Sequence, residues 1–270
     1  MKHLILGCLA FIFIFQVWGC KSDDKTTTKE AGSALQVVSA DSLRRVYLSR
    51  IKPAAERLPE QQIKEAGKLY PVDEGPRDTG FFVFREWLLD AVKHKDVLYL
   101  MSTVDPQIKC SFGEDNGTAA FVKQWTLDVP VKTGDSEIWT VLQQVLTGGG
   151  VFENQGKSFT APYLFATFPE DLDGIDYGAI TGSGVRLRSQ PDLGSEIVQT
   201  ISYDIGKVLE ETPQKDTIGE DAYPWYKIRL NSGKEGYVYG KFFGRPIGYR
   251  AAFEQQPNKT WMMTLLIAGD

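Results

Sequence analysis

The spacing of apolar residues along the chain changes from a helical period to a strand period. In residues 81–103 apolar side chains recur every three or four positions, which predicts a long helix and then a short one. Asp96 lies where it can cap the second helix. Similar spacing predicts helices within residues 40–69 and 137–146. Beyond Ala179 the apolar residues alternate with polar ones, which is typical of half-buried strands. Helices followed by strands predict the α+β fold class.

The first half of the chain also contains short strand signals. Residues 108–112 predict a strand, and residues 151–168 predict a hairpin that turns at 154–156 and is interrupted by Pro162. Residues 168–174 are acidic, contain Pro and Gly, and lack apolar periodicity, which is typical of a boundary. We therefore expect a helix-rich α+β domain over residues 40–172.

Residues 184–243 contain the most regular alternation in the chain. Val185 and Leu187 share one face of a predicted strand, and Arg186 and Arg188 share the other. Five short strands in this stretch predict a small β-barrel. A polar segment, residues 211–224, interrupts the alternation and is interpreted as a long loop.

The order of short motifs in this stretch resembles the bacterial SH3 (SH3b) domain. The motifs are V-R-x-R-x-x-P from Val185, W-Y-K-I-x-L from Trp225 and G-x-x-G-Y-V from Gly233. The resemblance implies an SH3-like barrel over residues 177–245. It also implies an association with the cell envelope, where such domains often bind cell-wall peptides.

Flat aromatic rings and arginines are the candidate ligand contacts of this barrel. Rings stack on sugars or peptides at little entropic cost, and guanidinium groups pair with carboxylates. The candidates are Tyr223, Trp225, Tyr237, Tyr239, Arg186 and Arg188. Packing inside the barrel is the alternative role, and we favour it for Tyr237 and Tyr239 because a small core needs large side chains. Trp225 is the preferred contact, since it alternates with the inward residues of its strand.

The C-terminal segment, residues 246–270, predicts a further hairpin with arms at 249–254 and 260–268. Such an apolar hairpin is unstable alone in water and must pack on another element. Our hypothesis is that it completes the sheet of the N-terminal domain, so that the barrel is an insertion. The helices followed by this hairpin loosely resemble the NTF2-like cone fold.

The N-terminus resembles that of a bacterial lipoprotein. Residues 1–20 form a signal-like segment whose apolar run is too short to span a bilayer. Residues 17–20, Val-Trp-Gly-Cys, resemble the lipobox, which implies lipidation at Cys20. The alternatives are an ordinary secretion signal or an uncleaved anchor, because Trp18 stands where a small residue is usual. Residues 21–39 form a polar tether. Its acidic start implies a membrane-anchored envelope protein destined for the outer membrane or cell surface.

Charge and composition argue against nucleic-acid binding and against common catalytic chemistries. The net charge is −5 and the pI about 5.3, without a basic cluster for phosphates. Beyond the leader the only histidine is His94 and, apart from Cys20, the only cysteine is Cys110, so neither a triad nor a zinc site is expected. We expect no enzyme activity, no metal and no cofactor.

Three functions remain, in order of preference. The first is binding of peptidoglycan or another envelope partner, protein or peptide, through the SH3b-like barrel. The second is binding of a small ligand or partner by the N-terminal domain, with a cavity lined by Trp87, Trp125 and Trp139. The third is an envelope hydrolase that uses carboxylates, with candidates Glu114, Asp115, Glu170 and Asp171.

Overall fold

Two β-sheets organise the part of the chain that the computed structural model describes, residues 39–46, 48–49 and 65–269. The predicted signal segment 1–20, its Cys20, and nearly all of the tether 21–39 lie outside the described residues. So does most of the middle of the helix predicted within residues 40–69. No helix among the described residues is long and apolar enough to cross a membrane.

Helices near the N-terminus begin where a side chain caps them. Helix α1 spans Ala40–Val46. After a single 3-10 turn, Gly75–Arg77, helix α2 spans Thr79–His94, and the carboxylate of Asp78 accepts a hydrogen bond from the Phe81 amide at 2.6 Å. Helix α3 spans Val97–Thr103, and Asp96 caps it by accepting from the Tyr99 amide at 3.0 Å. The predicted cap is confirmed.

Four further helices follow: α4 Gly117–Gln124, α5 Pro130–Thr133, α6 Ile138–Thr147 and α7 Tyr163–Ala166. Helix α6 buries Ile138, Trp139, Leu142 and Val145, as its apolar spacing predicted. Helix α7 corrects the hairpin prediction for residues 151–168. The second arm of that hairpin ends at Ala161, because Pro162 has no amide hydrogen to continue the ladder.

The first sheet combines strands from both ends of the described chain. Its order is β1-β12-β11-β3-β2, in which β1 runs parallel to β12 and the other pairs are antiparallel. The strands are β1 Val104–Lys109, β2 Val151–Glu153, β3 Ser158–Ala161, β11 Arg250–Gln255 and β12 Trp261–Ile267. The C-terminal hairpin β11–β12 thus lies between β1 and β3.

An aromatic cluster joins helix α2 to this sheet. The ring of Phe81 lies 4.2 Å from that of Phe159 and 5.7 Å from that of Phe253, between centroids. Trp261 approaches the same ring edge-on at 5.0 Å. These four side chains are buried, and large buried aromatic rings contribute much of the hydrophobic stabilisation of a core. The core of the first sheet therefore depends on residues more than 170 positions apart.

The second sheet is built from the chain between α7 and β11. Its order is β10-β4-β7-β8-β9-β5-β6, with antiparallel pairing throughout. The strands are β4 Tyr177–Ile180, β5 Val185–Arg188, β6 Ile197–Ile201, β7 Ile205–Ile218, β8 Asp221–Leu230, β9 Glu235–Tyr239 and β10 Phe243–Gly244.

This second sheet curls around one apolar core, but its two edge strands do not pair to close a barrel. Phe243 of β10 and Ile201 of β6, at opposite ends of the strand order, belong to the same buried cluster. In the described chain no ladder joins β10 to β6, so the prediction of a closed five-stranded barrel is corrected. A single backbone bond, from the Tyr203 amide to the Gly182 carbonyl at 3.2 Å, joins the turn that follows β6 to the turn that follows β4.

The segment 67–74, which we call the connector, bonds to both sheets. At one end the Leu69 amide donates to the Tyr203 carbonyl at 2.7 Å, and the Lys68 ammonium lies 3.0 Å from the Asp204 carboxylate. At the other end the Glu74 amide donates to the Gly150 carbonyl at 2.9 Å. The side chain of Leu69 is buried in a small apolar cluster with residues of α7, β4 and β7. The connector therefore holds the second sheet against the first.

Candidate functional site

The outward face of β8, β9 and β5 brings most of the predicted ligand contacts together. Trp225 is paired with Tyr239, and Lys227 with Tyr237, across β8 and β9. Tyr237 is also paired with Arg188 of β5. Because alternate residues of a strand point to the same side, these residues share the face opposite the apolar core. We call it the aromatic face.

Trp225 is not on an open surface. Its side chain is 1% exposed, and its ring lies 5.5 Å from that of Tyr239. The indole Nε1 donates a hydrogen bond to Oδ2 of Asp216 at 3.1 Å. The interpretation of Trp225 as an accessible ligand contact is therefore corrected, because the strand alternation gives the face of the sheet and not what covers it.

The covering element is the polar segment 211–224, which is not a loop. It forms the outer part of the hairpin β7–β8, where Lys215 pairs with Pro224 and Ile218 with Asp221. Gly219 adopts a φ of +74° in the turn, a conformation that glycine takes without strain. We call residues 213–222 the hairpin tip. Its ladder is made of backbone hydrogen bonds, which need no apolar side chains.

The tyrosines of the aromatic face differ in accessibility. Tyr239 is 3% exposed, and its hydroxyl donates to the backbone carbonyl of Asp216 at 2.8 Å. It is a packing residue, as the sequence analysis favoured. Tyr223 and Tyr237 are half-buried, and the Tyr223 ring lies edge-on to that of Tyr239 at 5.7 Å. The half-buried pair offers the accessible aromatic surface.

The two arginines have different environments. Arg186 is exposed, whereas Arg188 is 6% exposed and donates a hydrogen bond to the Ser195 carbonyl. Arg188 therefore holds the turn between β5 and β6 and is not an open carboxylate ligand. Sequence reasoning missed Lys227, a half-buried cation beside Tyr237 whose position in W-Y-K-I already placed it on this face.

An ion-pair network flanks the aromatic face. The Glu235 carboxylate lies 2.7 Å from the Arg229 guanidinium and 3.6 Å from the Lys227 ammonium. The hydrogen bond from Arg229 lowers the pKa of Glu235 below its usual value. The Lys227 ammonium is the more distant of the two cations from Glu235, and at this partly exposed pair it can exchange Glu235 for another carboxylate at little cost.

A comparison with known protein families matches most of the chain that forms the second sheet. Residues 183–243 match the family described as "Bacterial SH3 domain". These residues form a bacterial SH3 domain. The SH3 domain takes in β5 to β9 and the first residue of β10, and β4 adds a strand just before it. No curated protein and no solved structure matches the chain.

Outside the SH3 domain, the tryptophans proposed to line a cavity lie in or beside the first core. Trp125 and Trp139 are each 5% exposed, and Trp139 Nε1 donates to the Thr133 carbonyl at 2.7 Å. Trp125 packs between the rings of Phe121 and Tyr249. Trp87 is half-buried, with its ring edge-on to that of Tyr99 at 6.4 Å. Packing accounts for the burial of Trp125 and Trp139.

Cys110 and His94, outside the SH3 domain, lie in surroundings that do not favour catalysis. Cys110 is buried, and burial, with a smaller contribution from Asp115, raises the pKa of its thiol. A raised pKa disfavours the nucleophilic thiolate. His94 ends helix α2 with its Nδ1 3.4 Å from the Asp90 carboxylate. Within the described chain, no three His, Cys, Asp or Glu side chains are grouped to hold a metal ion.

Proposed function

We propose that this is a non-enzymatic, lipid-anchored protein of the cell envelope that binds peptidoglycan through its SH3 domain. The observation that carries the proposal is the SH3 domain itself, since bacterial SH3 domains are commonly cell-wall binding modules. The lipobox-like sequence ending at Cys20 supports the anchor and the envelope location, at the outer membrane or the cell surface.

The accessible part of the aromatic face has the chemistry that this ligand needs. Peptidoglycan presents sugar rings and peptide carboxylates. The half-buried rings of Tyr223 and Tyr237 can stack on a sugar or on a peptide plane, while Lys227 and the exposed Arg186 can pair with carboxylates. We assign the first contacts with the wall to these four side chains, in place of the buried Trp225.

Co-sedimentation with purified peptidoglycan sacculi tests the proposal. The wild-type protein is expected to pellet with sacculi, and Tyr237→Ala is expected to weaken binding by about fivefold, since a stacked ring contributes ~1 kcal/mol beyond its area. Tyr237→Phe keeps the ring and should bind like the wild type. Lys123→Ala, on the exposed side of α4, is the control for a surface truncation to alanine outside the SH3 domain.

Two results would contradict the proposal at different levels. Absence of wild-type protein from the sacculus pellet would refute wall binding. Unchanged binding of Tyr237→Ala, with an unchanged circular dichroism spectrum, would place the contact elsewhere on the SH3 domain.

Membrane fractionation tests the anchor separately. Cys20→Ser is expected to move the protein from the membrane fraction to the soluble fraction, because one sulfur carries the lipid. Cys110→Ser is the matched control, since Cys110 is buried and should not affect fractionation. A Cys20→Ser protein that stays with the membranes would refute lipidation as the anchor.

A further inference from the structure

We infer that the hairpin tip is a lid that carries an internal mimic of the ligand. In this arrangement Asp216 occupies the position of a carboxylate of an anionic envelope peptide, and the peptide binds on Trp225 and Tyr239 after displacing the tip. The inference rests on the proposed function of the SH3 domain, which it extends by assigning a ligand class and a closed state.

Two hydrogen-bond donors of the aromatic face converge on Asp216. The Trp225 indole donates to its carboxylate at 3.1 Å, and the Tyr239 hydroxyl donates to its backbone carbonyl at 2.8 Å. An indole NH is a donor only, and leaving it unpaired when buried costs free energy. A peptide with a carboxylate next to a carbonyl would satisfy the same two donors. The geometry therefore selects a carboxylate-bearing peptide over a neutral sugar.

The tip has little apolar attachment of its own. Residues 213–220 are all exposed except Asp216, and the apolar Ile218 near the turn is 39% exposed. Besides the two hydrogen bonds of Asp216, backbone pairing of Asp216 with Tyr223, whose ring lies edge-on to that of Tyr239, joins the tip to the face. Elements with few buried apolar contacts open locally far more readily than the core. Trp225, in contrast, has a large ring that becomes an exposed stacking surface once the tip moves.

A break in the ladder supplies the hinge. The register of β7 against β8 shifts between Glu211 and Lys215, so residues 212–214 leave the ladder. Thr212 is buried, and its hydroxyl accepts a hydrogen bond from the Trp225 amide at 3.3 Å, which keeps it with the domain. The tip can therefore rotate beyond Thr212 while the rest of β7 stays in place.

The charges of the tip and the face are opposite. The tip, residues 213–222, contains three acidic residues and one basic residue, Lys215, and the adjoining residues 210 and 211 are both glutamates. The face beneath carries Lys227, and Arg186 lies exposed on the same side of β5. Attraction between them favours the closed state, and an anionic peptide competes for the same cations. Binding and opening are thus coupled through one set of charges.

Nuclear magnetic resonance of the indole NH groups tests whether the tip is a lid, without any ligand. The Trp225 signal is assigned by its loss in Trp225→Phe. In the full-length protein, Asp216→Ala is expected to shift this signal and to accelerate its exchange with water at least tenfold. Thr217→Ala, an exposed change next to Asp216, should leave both unchanged. Asp216→Asn retains an acceptor oxygen without the charge and should give an intermediate exchange rate.

Binding of a soluble peptidoglycan disaccharide-peptide tests the ligand class. Asp216→Ala is expected to bind it at least threefold more tightly than the wild type, and the gain should vanish when the peptide carboxylates are amidated. Slow, unshifted Trp225 exchange in a folded Asp216→Ala protein would overturn the lid, even if the wild type binds sacculi.

Faster exchange of the Trp225 indole NH in Asp216→Ala, together with weaker binding of the disaccharide-peptide, would show that Asp216 supports the site. It would overturn the inference that Asp216 mimics a ligand carboxylate. Faster exchange with no binding of disaccharide-peptide or sacculi by either protein would refute the proposed function and the ligand class together, leaving only the opening of the tip.

Discussion

Replacing Phe253 by alanine examines whether the C-terminal hairpin belongs to the first core. Phe253 lies in β11, has no exposed surface, and is paired with Phe159 of β3. Its ring lies 5.7 Å from the rings of both Phe81 and Phe84 on helix α2. Removal of the ring therefore opens a cavity between a C-terminal strand and an N-terminal helix.

The expected cost is large relative to the stability of a domain. Truncation of a fully buried Phe to Ala costs about 3–5 kcal/mol, from lost transfer free energy and the cavity that remains. Natural domains are stable by only about 5–15 kcal/mol, so Phe253→Ala should lower the unfolding midpoint markedly.

Chemical denaturation followed by far-ultraviolet circular dichroism measures this difference. Phe112→Ala provides the control, because Phe112 is 56% exposed and its ring lies on the surface, 5.7 Å from the Arg250 guanidinium. The control substitution should lower the free energy of unfolding by less than about 1 kcal/mol. A loss below about 1 kcal/mol for Phe253→Ala as well would refute the placement of β11 in the first core.

Two further changes probe other parts of the structure. Burial raises the pKa of Tyr163 to about 12, and an unfolded phenol titrates near 10, so stability should be lost as pH rises from about 10 to 12. Tyr163→Phe should reduce that alkaline loss of stability. At pH 7 the variant should change the free energy of unfolding by less than about 0.5 kcal/mol, because the hydroxyl has no hydrogen-bond partner among the described residues. Denaturation at a series of pH values measures both effects, and a variant that keeps the steep alkaline loss would disprove the reasoning. Gly75→Ala would place a Cβ 2.6 Å from Nη1 of the buried Arg85 and should lower the free energy of unfolding by about 1–3 kcal/mol. Gly134→Ala is the control, because a Cβ there meets open space and should leave stability unchanged. Equal melting temperatures of the two variants in thermal denaturation would contradict the crowding at Gly75.

Local patterns in the sequence predict most elements of the fold. The helical spacing of residues 81–103 and the cap at Asp96 correspond to α2 and α3. The apolar alternation from Val185 predicts short strands, and the order of the motifs resembles the bacterial SH3 family, which the match over residues 183–243 confirms. The apolar tail is predicted as a hairpin for the same reason. In these cases, a periodic pattern over several residues determines the local structure.

The covering of the aromatic face could not be predicted in this way. Residues 211–224 are polar, and polar residues in an extended hairpin give no apolar alternation to detect. Whether Trp225 is open depends on a hydrogen bond to Asp216, nine residues earlier, and on the path of the tip. The burial of Arg188 likewise depends on the turn that presents the Ser195 carbonyl. These are tertiary contacts, which the spacing of residues within a strand does not encode.

The strand order of the first sheet has a consequence for the synthesis of the protein. Strands β1 to β3 leave the ribosome first, but their neighbours β11 and β12 come after the whole SH3 domain. The second sheet can therefore complete its pairing while the edges of β1 and β3 are still unpaired. Domains generally fold as units during synthesis, and unpaired strand edges are prone to aggregation. During synthesis the nascent chain must therefore protect the edges of β1 and β3 from other strands until β11 and β12 have been made.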